Sequence, residues 1–158
     1  VWRILRWLGV LVIGLLLVIQ LVPYGRTHVN PPVGQEPRWD RPETRALAAR
    51  VCFDCHSNET VWPWYSHVAP ISWLVQRDVD EGRRTLNFSE FAGRQGKAHE
   101  SAKTVRKGEM PPWFYEIRAP TARLTAAERA ELIAGLEVTF GTERAPARDP
   151  RRRGDDAS

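Results

Sequence analysis

The sequence predicts an all-α protein, a helical domain behind a single N-terminal transmembrane helix. Two observations carry that expectation. The chain of 158 residues opens on an apolar run of membrane-helix character and then passes through a proline-rich stretch. Beyond it, successive segments place apolar residues at helical spacing, several beside a capping or proline signal that marks where a helix begins. The length leaves room for one such domain.

Taken in order, residues 1–22 form the anchor. From Leu8 to Val22 only Gln20 is polar. That run makes about 22 Å of helix against a hydrocarbon core of ~30 Å. Ile4, Leu5 and Trp7 lengthen it once Arg6 snorkels to the headgroups. A cleaved signal peptide has the same basic start and apolar centre, but it ends in small residues. Here Val22 is followed by Pro23-Tyr24-Gly25-Arg26, so the expectation is an uncleaved anchor. Arg3 and Arg6 keep its start in the cytoplasm, against the weaker pull of Arg26, and everything downstream is exported. Residues 23–41 hold Pro31, Pro32 and Pro37 and read as an extended tether that lifts the domain off the membrane.

The domain spans residues 42–140. Asp40 is the expected N-cap of its first helix, with Pro42 in the first turn and Glu43 closing a capping box. Leu47, Val51 and Cys52 give that helix its apolar stripe. Pro70 opens a second helix with Ile71, Leu74, Val75 and Val79 on one face, ending near Gly82. Asn87 and Glu90 suggest a capping box for a short helix bearing Phe88 and Phe91. Residues 97–107 are rich in Ala, Lys and Arg and read as a surface helix. Thr125 and Glu128 box the last helix, which buries Leu132, Ile133, Leu136 and Phe140, with Gly135 as a point where another helix can come close. Residues 141–158 lack large apolar side chains and read as a disordered, solvated tail.

The first helix runs into Cys52-Phe53-Asp54-Cys55-His56. C-x-x-C-H is the attachment sequence for c-type haem. Two thiols three positions apart can each add to one vinyl group of the same porphyrin, and the adjoining imidazole then meets the iron. The chain has two cysteines and both are here. A zinc site would need two further ligands at similar spacing, and the sequence offers no second Cys/His pair. One covalently bound haem c is therefore the expected cofactor. Because c-type attachment takes place on the outer side of an energy-conserving membrane, the motif and the anchor reach one compartment from different residues. They also imply the c-type maturation machinery as a partner.

Trp62-Pro63-Trp64-Tyr65 is an aromatic loop that suits a large flat partner. Trp62, Trp64 and Tyr65 are haem-contact candidates, with ordinary packing as the alternative. Met110 is the one methionine, so it alone can offer the iron a thioether. Pro111 holds it in extended backbone and Pro112 stiffens the loop. His67 and His99 are the other candidates for a sixth ligand, and an iron with no sixth protein ligand stays open.

The order of helix, C-x-x-C-H, loops, Met-Pro-Pro and a Leu-Thr-x-x-Glu helix resembles a small class I cytochrome c. More specifically, Asp54 to Ser66, Ala69-Pro70-Ile71-Ser72-Trp73, Gly82-Arg83-Arg84, Leu86 to Glu90 and Gly108 to Trp113 resemble the bacterial haem-binding domain family of membrane-anchored monohaem proteins. The resemblance runs from about residue 23 to residue 140. It implies a cytochrome c-like domain with covalent haem on Cys52 and Cys55 and His56 as axial ligand. It implies no particular reaction.

Charge adds little. The net +4 comes from the N-terminus and tail, and two haem propionates would turn the nearly balanced body slightly negative, so nothing argues for nucleic acid. No paired carboxylates or nucleophile–base pair suggest catalysis. The expected function is a one-electron carrier with His56 and Met110 on the iron, serving an unknown redox partner. The alternatives are a haem enzyme or gas or redox sensor with an open or labile position, and a module using haem or zinc only to fold.

Overall fold

The computed structural model describes residues 1–92 and 95–141. The tail expected from residue 141 onward thus lies outside the described residues, Gly141 excepted. Among them are seven α-helices, four short 3-10 turns and no strand.

Helix α1 (Trp2–Ile19) has a mean hydropathy of 2.1 over its 18 residues and buries none of them, so it is apolar enough to cross a membrane. Helix α2 (Pro42–Val51) follows the linker, then a single turn, α3 (Phe53–His56). Next come α4 (Ile71–Thr85), α5 (Ser101–Arg106), α6 (Trp113–Arg118) and α7 (Ala126–Phe140). The core lies where α2, α5 and α7 meet, around Ala48, Phe88, Val105, Leu132 and Leu136. Gly135 makes that meeting possible, because a methyl there would enter the space of the Thr44 side chain on α2. The capping box at Thr125 and Glu128 is complete in both directions.

Several expectations are corrected. Asp40 does not cap α2. Arg41 takes the cap position without a side-chain bond, while the Asp40 carboxylate is held by Arg41 Nε at 3.2 Å and by the Thr139 hydroxyl. The buried stripe of α2 is Thr44, Ala48 and Val51, with Leu47 at its margin. Helix α4 is rotated from the expected face and runs a turn longer. It buries Ser72, Val75, Val79 and Gly82, whereas Ile71 and Leu74 are exposed. Small residues face inward because α3 and the linker approach too closely for a larger side chain. Asn87 does cap its turn, accepting from Ser89 N–H at 2.9 Å, but Glu90 accepts from Asn58 Nδ2 instead of reaching back. The segment expected on the surface at 97–107 becomes a 3-10 turn and α5, and it buries Ala98, Ala102 and Val105 against α7. Small apolar residues have weak periodicity signals yet suit close helix packing.

The largest departure is the tether. Residues 23–41 are irregular, as their prolines require, but they are belted to the domain. Gly34 N–H donates to Ser89 O at 2.9 Å, and Gln35 O accepts from Phe91 N–H at 2.7 Å. Asn30 Nδ2 donates to Thr60 O and Asn58 Nδ2 to Pro32 O, both at 2.9 Å. Trp39 ends the belt half-buried against the core, its ring 5.2 Å from that of Phe88 and 5.8 Å from that of Phe140. Even half-buried, an indole supplies roughly 1–2 kcal/mol of apolar burial, which an extended linker would forgo.

Candidate haem site

The C-x-x-C-H segment is shaped by a break and a close approach. Helix α2 stops at Val51, and Cys52 leaves helical geometry at φ −122°. The next turn then closes on it, with His56 N–H donating to Cys52 O at 2.9 Å. This turn lies directly on α4. At Gly82 a methyl would occupy the place of the Cys55 carbonyl, so only glycine lets the two backbones meet.

That contact positions His56. Its Nδ1 lies 3.0 Å from the carbonyl oxygen of Leu86, at the end of α4. A carbonyl can only accept, so Nδ1 carries the proton and donates, and Nε2 keeps its lone pair. An imidazole oriented in this way is what a metal-ligating histidine requires. Burial pushes the His56 pKa down, against the pull of the Leu86 and Gly82 carbonyls, which favours the neutral ring.

Two adjoining chambers open beside the motif turn, one of them against this ring. One, of about 320 Å3, is lined by Cys55, His56, Met110, Pro112, Phe114 and Tyr115 among others. The other, of about 200 Å3, is lined by Asp54, Cys55, Tyr65, Val75, Val79 and Ala119 among others. They share Cys55, Asp78, Tyr115 and Arg118, and their joint size is that of a cofactor pocket. Both cysteines are free thiols. Burial, reinforced by the Cys55 thiol beside Cys52 and by the Asp78 and Asp54 carboxylates near Cys55, raises Cys52 to about 12 and Cys55 to about 11, so both are protonated at neutral pH. Cys52 lines neither chamber and packs half-buried at the core's edge beside Val51. Among the described residues no group of three or more His, Cys, Asp or Glu is gathered to hold a metal ion. A large cavity against a neutral, tautomer-fixed imidazole and a thiol fits haem.

The expected residues divide. Cys55, His56, Met110 and Tyr65 come together around the chambers. Trp62 and Trp64 do not line them. Trp62 stacks on His28 at 4.5 Å and donates through Nε1 to Asn30 Oδ1 at 3.1 Å, so its ring secures the linker. Trp64 is 79% exposed and meets Tyr65 edge-on. His67 sits edge-on to His28 at 4.3 Å, and His99 lies beside Glu100; neither lines a chamber.

Sequence alone assigns three contributors no role. Asp54, inside the motif, accepts from Val61 N–H at 3.0 Å and from Tyr115 O–H at 2.6 Å. The second bond ties α6 to the motif, and burial together with this carboxylate drives the Tyr115 pKa up. Arg83 donates to Ser57 O, Val29 O, Asn30 Oδ1 and Thr60 Oγ1, clamping linker and post-motif loop together. Arg118 lies over the rings of Tyr65 and Phe114, 5.9 and 5.4 Å from their centroids.

A helical fold built around a C-x-x-C-H turn and a chamber of this size defines a haem protein. The family model described as the haem-binding domain matches residues 14–138, most of the chain, and the chain belongs to that family. No curated protein and no solved structure matches it.

Proposed function

We propose that this protein is a membrane-anchored c-type cytochrome that carries single electrons. Cys52 and Cys55 would hold one haem c by thioether bonds and His56 would be its axial ligand. Met110 would be the sixth. The observation that carries the reading is the shared chamber, where Met110 and an imidazole with a committed tautomer line one cavity. Haem iron supplies a one-electron couple, and His/Met ligation raises its potential. The chain's own part is to fix the imidazole through Leu86 and to close the chamber with α6 through Tyr115 and Asp54. On this reading α1 crosses the cytoplasmic membrane once, with the haem domain on its outer side. Maturation enzymes and a redox protein would be its partners.

The test is to express the full chain with a c-type maturation system and to record visible spectra of both oxidation states, with and without carbon monoxide. Haem that survives denaturation and a low-spin spectrum indifferent to the gas are expected. Met110→Ala should convert the protein to a gas-binding form. Ready gas binding by the unaltered protein would overturn the carrier in favour of an enzyme or sensor with an open position. Haem released by denaturant would overturn covalent attachment.

A further inference from the structure

No slack joins α1 to the haem domain. Gln20, which closes α1, donates through Nε2 to Ala69 O at 2.9 Å and accepts Ala69 N–H through Oε1 at 3.0 Å. Arg26 Nη2 donates to the same Oε1 at 3.0 Å. Gly25 then lies against the backbone of Ser72 and Trp73 in α4, where no Cβ would fit. The linker stays bound to the domain from there to Trp39. Eighteen helical residues span about 27 Å, close to the ~30 Å hydrocarbon core. If α1 spans the bilayer, Gln20 and Ala69 sit at the hydrocarbon edge.

The surface next to that point is apolar. The Val68 carbonyl accepts from Ser72 N–H, so α4 opens directly after the dock, at Ile71. Leu74 lies in the first turn of α4, about 5 Å along its axis from Ile71 and five residues from Ala69, so it stays near a headgroup layer roughly 5–8 Å deep. Leu74 forms a groove with Trp113, Phe114 and Ile117. Trp113 is 73% exposed, Ile117 61% and Leu74 55%, and Val68 and Ile71 continue the apolar surface back to the dock. Leu74, Trp113 and Ile117 line neither motif chamber, so the cofactor site does not account for their exposure.

We propose that this face, from Val68 and Ile71 through Leu74 to Trp113, Phe114 and Ile117, rests on the lipid headgroup layer. The inference depends on α1 spanning the bilayer, the reading proposed above. The occupant is lipid because α1, apolar and unburied along its length, is docked at Ala69, between the exposed Val68 and the start of α4. It also presents indole and phenyl rings, the side chains that settle at membrane interfaces. Phe114, Asp78 and Arg118 belong both to this groove and to the haem chamber. On this proposal Phe114 stands between the chamber and the lipid.

The experiment uses the full, haem-loaded chain in nanodiscs of phosphatidylcholine and phosphatidylglycerol. A photo-crosslinking p-benzoylphenylalanine replaces Leu11, Ile117 or Val138 in turn. Val138 is 73% exposed on α7 and controls for mere exposure. Lipid adducts are expected at positions 11 and 117, with the yield at 117 at least about tenfold that at 138. Adducts at 11 with none at 117 would overturn the lipid seat while leaving the anchor standing. No adduct at 11 would overturn the anchor itself. Protein adducts at 117 in place of lipid would overturn the seat in favour of a protein interface. Trp113→Phe gives a second reading: it should remove part of the tryptophan quenching caused by brominated lipids, and an unchanged quenched fraction would count against the seat.

Discussion

Gly82→Ala should destabilise this protein although it replaces glycine inside a helix. At an exposed helical position the change gains about 1 kcal/mol, because alanine loses less backbone entropy. Position 82 is buried, and the added methyl meets the carbonyl carbon and oxygen of Cys55. Those atoms belong to backbone that already bonds within its own turn, so no rotamer change relieves the clash. To restore van der Waals contact α3 must retreat by about 1 Å. Overpacking of this kind costs about 1–3 kcal/mol, and a rigid backbone neighbour places it at the upper end. The net loss is then about 1–2 kcal/mol, or roughly 4–16 °C in Tm for a domain of this size. The displacement has a second signature, since His56 rides on α3 and its bond to Leu86 O spans 3.0 Å. Thermal melting of the haem-loaded protein, followed in the visible region, reads both effects. A variant about 1 kcal/mol more stable than the parent, with an unaltered spectrum, would refute the close packing of α3 on α4.

Asn58 is buried and joins Pro32 O, Glu90 Oε1, Asn87 Nδ2 and Ser89 Oγ. Asn58→Ala strands the buried Asn87 amide and frees the linker, so a loss of about 2–4 kcal/mol and faster tryptic cutting near Arg26 are expected; unchanged proteolysis would count against a belted linker. Glu128 is held down to about 2, first by the Thr125 N–H and then by Arg50. A carboxylate with a depressed folded pKa adds stability that is fully present above its unfolded value of 4.5 and is lost as pH falls toward 2. Glu128→Gln should therefore flatten the Tm-against-pH curve between those limits and leave its shape above pH 5 alone. A curve parallel to the parent's across that window would remove the capping box as its cause.

What the sequence disclosed depended on the range of the interactions concerned. The capping box at Thr125 and Glu128 is settled within four residues, and C-x-x-C-H within five, so both could be read locally. The same holds for the apolar length of α1. Asp40 misled because its competitor for the carboxylate, Thr139, lies 99 positions away. The face of α4 misled for a similar reason. Ser72 and Gly82 turn inward because Gly25 and Cys55 come close from distant segments, and apolar periodicity cannot register a contact that selects for absence of side chain. Trp62 and Trp64 looked like haem contacts on composition alone, but His28 and Asn30 give Trp62 another use.

The linker shows why the omission matters for the site. Proline density correctly excludes a helix in residues 23–41, yet it does not imply separation, because an extended chain with free carbonyls also suits a segment lying along a surface. Arg83 decides between these outcomes. Its guanidinium reaches Val29 O and Asn30 Oδ1 from the linker, and Ser57 O and Thr60 Oγ1 just after His56. Linker and motif therefore share one cation whose charge-assisted bonds are among the stronger polar contacts here. Since Arg83 sits beside Gly82, the residues that admit the motif turn and those that bind the linker are neighbours on α4. Linker and motif turn are consequently both held on one helix, α4, at Gly25 against Ser72 and at Gly82 against Cys55, with Arg83 bonded to both.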